Sequence, residues 1–183
     1  LSGITMNFLM SLSGGLLAGY WVSKGDPFWT YSGGLAGIIT ASAGNDLYHP
    51  IQSMIIAGVG TYIAYKMHYW VERKFKIDDA VGAVAVHGYA GVVGLIICGF
   101  VLWGYPSSGY DGLGYAAINP VGMIIGAFIM FVVLGFIPGY VIAKILHAAG
   151  KLRIPREVEL AGLDYNIMEA ASKDEKAVSS SNR

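Results

Sequence analysis

From Ile77 to Gly94 the chain reads Ile-Asp-Asp-Ala-Val-Gly-Ala-Val-Ala-Val-His-Gly-Tyr-Ala-Gly-Val-Val-Gly. Two acids, Asp78 and Asp79, open this stretch, and the next charged residue is Asp111. Between them His87 is the only side chain that titrates near neutral pH. An apolar run of this length reads as a membrane-spanning helix. An ionisable residue inside such a helix is costly, so by default it marks a functional site. With a helix start at Ala80, His87 lies about 10 Å into the span. On an α-helix its face-mates three, four and seven positions away are Ala80, Ala83, Val84, Ala90, Gly91 and Gly94. All but Val84 are small, which lets another helix approach closely or leaves a narrow path beside the ring. A histidine that merely bonds a neighbouring helix fits these residues equally well.

Composition supports the membrane reading. Of 183 residues 55% are hydrophobic and 13% charged, with 26 glycines and a formal net charge of zero; the mean hydropathy is +0.54. High glycine content is tolerated in membrane helices and costly in soluble ones. Zero net charge gives no footprint for nucleic-acid binding. The single cysteine, Cys98, lies in an apolar run and supports neither a disulfide nor a metal cluster. The first segment lacks the basic flank and cleavage pattern of a signal peptide. The sequence opens at Leu1 inside an apolar helix, as the later part of a longer protein would.

The expected fold is an all-α, polytopic transmembrane bundle of five helices, at about 1–22, 28–44, 51–70, 80–103 and 121–148. A cytoplasmic tail, 149–183, follows, disordered from about 173. Asp26-Pro27 and Asn119-Pro120 each place a capping side chain before a proline at the first helical position. Asn45 to His49 reads as a short polar turn, and Gly104 to Asn119 as a longer loop. Lys66 and His68, near the end of the third segment, are placed to snorkel toward the interface. Pro138 is expected to kink the fifth. Lys24, then Arg73, Lys74 and Lys76, then Lys151, Arg153 and Arg156 follow alternate segments, whereas 45–50 and 104–120 carry no Lys or Arg. The positive-inside rule therefore puts the C-terminus in the cytoplasm. Ser42, in a segment rich in small residues, either bonds its own backbone at i−4, as Thr40 can, or accepts a hydrogen bond from a polar substrate.

Three stretches carry a resemblance. Asp78-Asp79-Ala80 through Val86-His87-Gly88 resembles the Asp-Asp-Pro…Val-His-Gly signature of the Amt/Rh ammonium transporter family. Leu35 to Gly44 is similar to that family's Ala-Gly-Leu-Val…Thr-Ala-Gly helix, and Leu152 to Asp164 to its cytoplasmic tail. Ala80 stands where the family has proline, and Asn45 where a cysteine is common. The resemblance covers residues 1 to 166 and corresponds to the last five of eleven helices. It implies a homotrimer in the plasma membrane, with one narrow, mostly apolar ammonia pore per subunit. His87 matches the second of two pore histidines; the first, with the outer aromatic gate, would belong to an earlier half. Ser42 matches an outer substrate site. Asp78 and Asp79 are expected as structural caps. Arg153, Glu159, Gly162, Leu163 and Asp164 match a tail segment that couples subunits and can meet a PII-type signalling protein.

The physics of the implied transport is consistent. Carrying a bare cation across hydrocarbon costs many kcal/mol, whereas a pore that strips the proton can pass neutral ammonia. An uncharged imidazole, with one donor and one acceptor nitrogen, can bind ammonia and relay the proton. The alternatives are an ammonium sensor acting through its tail, and a membrane subunit in which His87 only packs. No phosphate loop, nucleophile elbow or metal-ligand spacing points to an enzyme or a cofactor.

Overall fold

The computed structural model describes residues 2–107 and 116–162. It divides into two units, Leu1–Leu134 and Gly135–Arg183. The described residues are helical, with one isolated antiparallel bridge, Pro106 to Ala117, and no strand. The all-α expectation is met.

In the first unit, α1 (Ser2–Ser23), α2 (Pro27–Ala41) and α3 (Pro50–Phe75) pack through small residues. Gly15 abuts the Gly33 carbonyl so closely that a Cβ would overlap it, and Gly19 abuts Trp29 in the same way. The buried interior is correspondingly small or polar: Ala36, Ala57, Ala64, Ser11, Thr40 and Thr61 are fully enclosed. Large apolar side chains such as Leu17, Leu35, Ile55 and Val59 point outward. This inversion of the soluble pattern suits a bilayer, where lipid tails solvate the large side chains and close backbone packing holds helices together.

Local chemistry sets the helix ends. The Asp26 carboxylate accepts from the Trp29 N–H at 2.9 Å, and Asn119 Oδ1 from the Gly122 N–H at 2.8 Å, each ahead of a proline. His49 caps α3: its Nδ1 accepts from the Ile51 N–H, while Gln52 Oε1 accepts from the His49 N–H. α3 runs five residues beyond the expected Trp70 and stops where Lys76 turns left-handed at φ 57°.

Two departures concern the next helix. It does not begin at Ala80, because Gly82 adopts φ 68° and breaks the chain direction there; helical structure starts at Ala83. His87 therefore lies four residues in, about 6 Å rather than 10 Å. The first turns, Val84–Tyr89, are π-helical and continue as α4 (Ala90–Val101). Another helix, α5 (Pro120–Phe128), leads into a second π-helical stretch, Ile129–Phe136, and then α6 (Ile137–Ala148). The irregularity expected at Pro138 thus takes the form of a π stretch on its N-terminal side. Among the described residues, two helices are long and apolar enough to cross a bilayer, Val84–Val101 and Pro120–Ala148. α1 is diluted by glycine and serine, α2 is only 15 residues long, and α3 carries a charged end.

In the second unit, α6 is followed by a short helix, α7 (Arg156–Ala161), which Gly162 ends at φ 87°. Leu163, Asp164 and the expected disorder from about 173 lie outside the described residues.

Candidate functional site

The site is built where α3 and the connector after it meet the π-helical turn. Asp79 is 4% exposed. Its Oδ1 accepts from the Val84 N–H at 3.0 Å and its Oδ2 from the Ala85 N–H at 3.1 Å, so this carboxylate anchors the start of the His87 helix. Carboxylates at helix N-termini satisfy orphan donors and oppose the helix dipole. Asp78 is exposed and makes no such bond; the two acids, read together from the sequence, divide sharply.

The second anchor is His68. Far from snorkelling, it is 7% exposed. Its Nδ1 lies 3.4 Å from Asp79 Oδ2, and its Nε2 3.4 Å from Glu72 Oε1. The rings of Trp29 and Tyr69 meet it edge-on, at 5.1 and 5.0 Å. Burial under aromatic rings and attraction to two carboxylates hold the imidazole inside; a free-standing histidine at the same depth would reach for water. The sequence signal was an i,i+4 pair, His68 and Glu72, one connector away from Asp79.

His87 itself is exposed and makes no hydrogen bond or ion pair among the described residues. Ala83 and Val84 share its exposed face, and Gly88 beside it has open space where a Cβ would stand. Gly91 sits against the Phe131 ring. Ala90 and Gly94, expected on the His87 face, are buried instead. The cause is the π turn, which adds a residue per turn and rotates everything downstream; such turns recur at functional sites. Gly94 faces the Thr40 backbone, with no room for a Cβ. Val86 and Ala90 pack on Ala36, Ala64 and Ile39. The backbone bearing His87 is thus fixed from behind while its ring stays accessible.

Ser42 begins a 3₁₀ turn, Ser42–Gly44, and is exposed. Its hydroxyl donates to the Ile38 carbonyl at 2.7 Å. The oxygen's lone pairs remain available to accept from a donor outside. The turn is held by a buried polar network that sequence reasoning missed: Asn7 Nδ2 donates to the Asn45 and Tyr48 carbonyls at 2.8 and 2.7 Å. Ser53 donates to Asn45 Oδ1 at 3.3 Å. An asparagine in the early turns of an apolar helix was the available clue. Burial pushes the Tyr48 phenol above its usual pKa, with the Cys98 thiol and Asp46 adding to the shift.

The family model described as Ammonium Transporter Family matches residues 3–173, nearly the whole chain. The chain belongs to this family.

Among its relatives, the ammonium transporter Amt1 of Methanocaldococcus jannaschii is 33% identical over 179 residues, covering 96% of this chain and 43% of that protein. Amt2 of the same organism is 36% identical over 159 residues, covering 85% and 35%. The ammonium transporter of Bacillus subtilis is 29% identical over 137 residues, covering 74% and 34%. The chain therefore spans less than half the length of these relatives. No solved structure gives a significant match. Membership of the Ammonium Transporter Family makes the chain part of an integral membrane protein, in keeping with its outward-facing apolar side chains.

The tail that the family resemblance singles out carries one ion pair among the described residues, between the Arg153 guanidinium and the Glu159 carboxylate. Both groups are largely exposed. It ties the connector ahead of α7 to the helix itself.

Proposed function

We propose that this chain is part of an ammonium transporter in which His87 lines the conduction path. The observation that carries the reading is the state of His87. It is an ionisable residue in an apolar, family-matched helix, with no partner among the described residues and open space beside it at Gly88. Leaving such a group unsatisfied in a bilayer is costly; a polar substrate, together with the other pore histidine that the family resemblance implies, would offset that cost.

The chemistry proceeds in two parts. Ammonium gives up a proton before entering the apolar path, because a bare cation there is prohibitive; the proton passes separately, relayed by the imidazole, and rejoins ammonia on the far side. Ammonia then accepts a hydrogen bond from, or donates one to, the imidazole, which has one nitrogen of each kind when uncharged. Ser42, with its proton committed to Ile38, serves as an acceptor for ammonium N–H groups at the other end of the path. In this reading the cytoplasmic end is the one rich in Lys and Arg. The protein assembles as a trimer in the plasma membrane, and the Arg153–Glu159 tail is the contact for a PII-type signalling protein.

The test is ammonium-evoked current in proteoliposomes carrying the full native polypeptide, wild type beside His87→Ala. A saturable response that the substitution abolishes supports the reading. A response unchanged by His87→Ala removes His87 from the path. No response from well-folded wild type overturns transport in favour of a sensor.

A further inference from the structure

The His68 imidazole stands between two carboxylates that come from different parts of the chain. Its Nδ1 lies 3.4 Å from Asp79 Oδ2, on the connector, and its Nε2 3.4 Å from Glu72 Oε1, one turn further along α3. A carboxylate only accepts, and an uncharged imidazole has one N–H and one lone pair. In either tautomer, one ring nitrogen therefore turns a lone pair toward an anion. With the proton on Nε2, that lone pair meets Asp79 Oδ2, the oxygen that accepts from the Ala85 N–H at 3.1 Å. Only the imidazolium donates to both carboxylates at once, and charge-assisted hydrogen bonds are about twice as strong as neutral ones.

The surroundings make this arrangement responsive to protons. From α3, the Tyr69 ring meets His68 edge-on beside Glu72. From α2, the uncharged rings of Phe28 and Trp29 cover it, with the Asp26 carboxylate committed to the Trp29 N–H. α1 has no charged residue. The connector brings Asp79 and, exposed beside it, Asp78; the π-helical turn brings two amides to Asp79, and its His87 is exposed. Among the described residues no lysine or arginine pairs with Asp79 or Glu72. A proton on His68 is what places a positive charge between them. The Glu72 side chain is 34% exposed, which gives water a route to Nε2. Histidine is the side chain suited to take up a proton between pH 8 and 5.

We propose that His68 is a proton-operated positioning residue: on binding a proton it clamps Asp79 against the amides of Val84 and Ala85, and so holds the helix that carries His87. The effect on current rests on the transport reading; the clamp itself does not.

The test has two readouts on the full native polypeptide. Hydrogen exchange in detergent gives the protection of the Val84 and Ala85 amides at pH 8 and pH 6, with the intrinsic pH dependence of exchange divided out. In proteoliposomes, ammonium-evoked current is measured at the same two pH values, equal on both sides. In wild type, protection is expected to rise about fivefold from pH 8 to pH 6, the gain of a charged over a neutral hydrogen bond. His68→Gln keeps one donor and one acceptor without a titrating ring, so it should fold and show protection that is flat with pH. The current of wild type relative to His68→Gln should rise in step, a ratio that cancels the pH dependence of the substrate and of His87. His147→Gln, which removes an exposed imidazole from α6, should keep the whole wild-type rise. Flat protection in wild type, or an unchanged rise in His68→Gln, would overturn the proposal. A rise that survives His68→Gln but vanishes in Glu72→Gln would assign the proton to a carboxylate instead. A level current ratio beside rising protection would make the clamp purely structural and end its role in positioning. Acid-strengthened protection in a wild type that carries no current would retire the transport reading and leave the clamp standing.

Discussion

The carboxylate of Asp79 joins two helices: its Oδ2 lies 3.4 Å from His68 Nδ1 on α3 and 3.1 Å from the Ala85 N–H that opens the His87 helix. Both contacts use one oxygen, while Oδ1 holds the Val84 N–H. The orientation of the helix bearing His87 is therefore set by a side chain two turns away, and indirectly by an imidazole on a different helix.

Replacing Asp79 should show this directly. Asp79→Ala removes two cap bonds and leaves His68 facing a void, so its cost should exceed the usual 0.5–2 kcal/mol of a lost cap. Asp78→Ala, at the exposed neighbour, should change stability by less than about 0.5 kcal/mol. Unfolding midpoints of the two variants in detergent make the comparison. Equal losses would mean that the acids share the cap.

His68 gives a second test. Both its ring nitrogens face carboxylates, so a ring with one N–H satisfies only one of them at a time. His68→Ala should destabilise by about 1–3 kcal/mol, from lost packing under Trp29 and an Asp79 oxygen left short of a donor. Combined with Asp79→Asn, the two losses should fall short of additivity by about 0.5 kcal/mol or more, as residues in one network do. Additive losses would separate His68 from the cap.

Much of this architecture was legible in the sequence, and what was not has identifiable causes. The all-α class followed from apolar runs, and the Asp26-Pro27 and Asn119-Pro120 starts followed from local capping chemistry. The start of the His87 helix was misplaced because Ala80 and Val81 read as helix formers, while the break comes from the left-handed backbone at Gly82. The π turn was invisible, since its hydrogen-bond register leaves no residue signature; with it went the burial of Ala90 and Gly94. His68 read as interfacial because periodicity cannot say that Trp29 of another helix covers it. Asp78 and Asp79 were indistinguishable as residue types and were separated only by the direction of the chain after Lys76.

Two glycines near His87 should behave oppositely. Gly94→Ala would drive a Cβ into the Thr40 backbone, and relieving it means parting α2 from α4, at a cost of about 1–3 kcal/mol or more. Gly88→Ala meets nothing within 4 Å and should leave stability equal or slightly raised, since alanine favours a helix over glycine. If ammonia passes beside His87, the added methyl narrows its path, and ammonium-evoked current should fall in Gly88→Ala although the protein folds normally. Unimpaired current in that variant would place the path on another face.

Tyr48, in the connector between α2 and α3, supplies a pH test. Its ring is 4% exposed, and its hydroxyl makes no aligned hydrogen bond even though the Cys98 thiol is close. Burial raises the phenol's pKa, so the folded state holds the proton more tightly than the unfolded chain, where tyrosine titrates near 10. The resulting stability is fully present below about pH 10 and is lost as the pH climbs beyond it. Tyr48→Phe should be close to neutral at pH 7, because the hydroxyl it removes has no bonded partner. Above pH 10 the variant should lose stability less steeply than wild type. Unfolding midpoints measured from pH 7 to 11 would decide the point: parallel curves for the two proteins would mean that the Tyr48 phenol reaches water in the folded state.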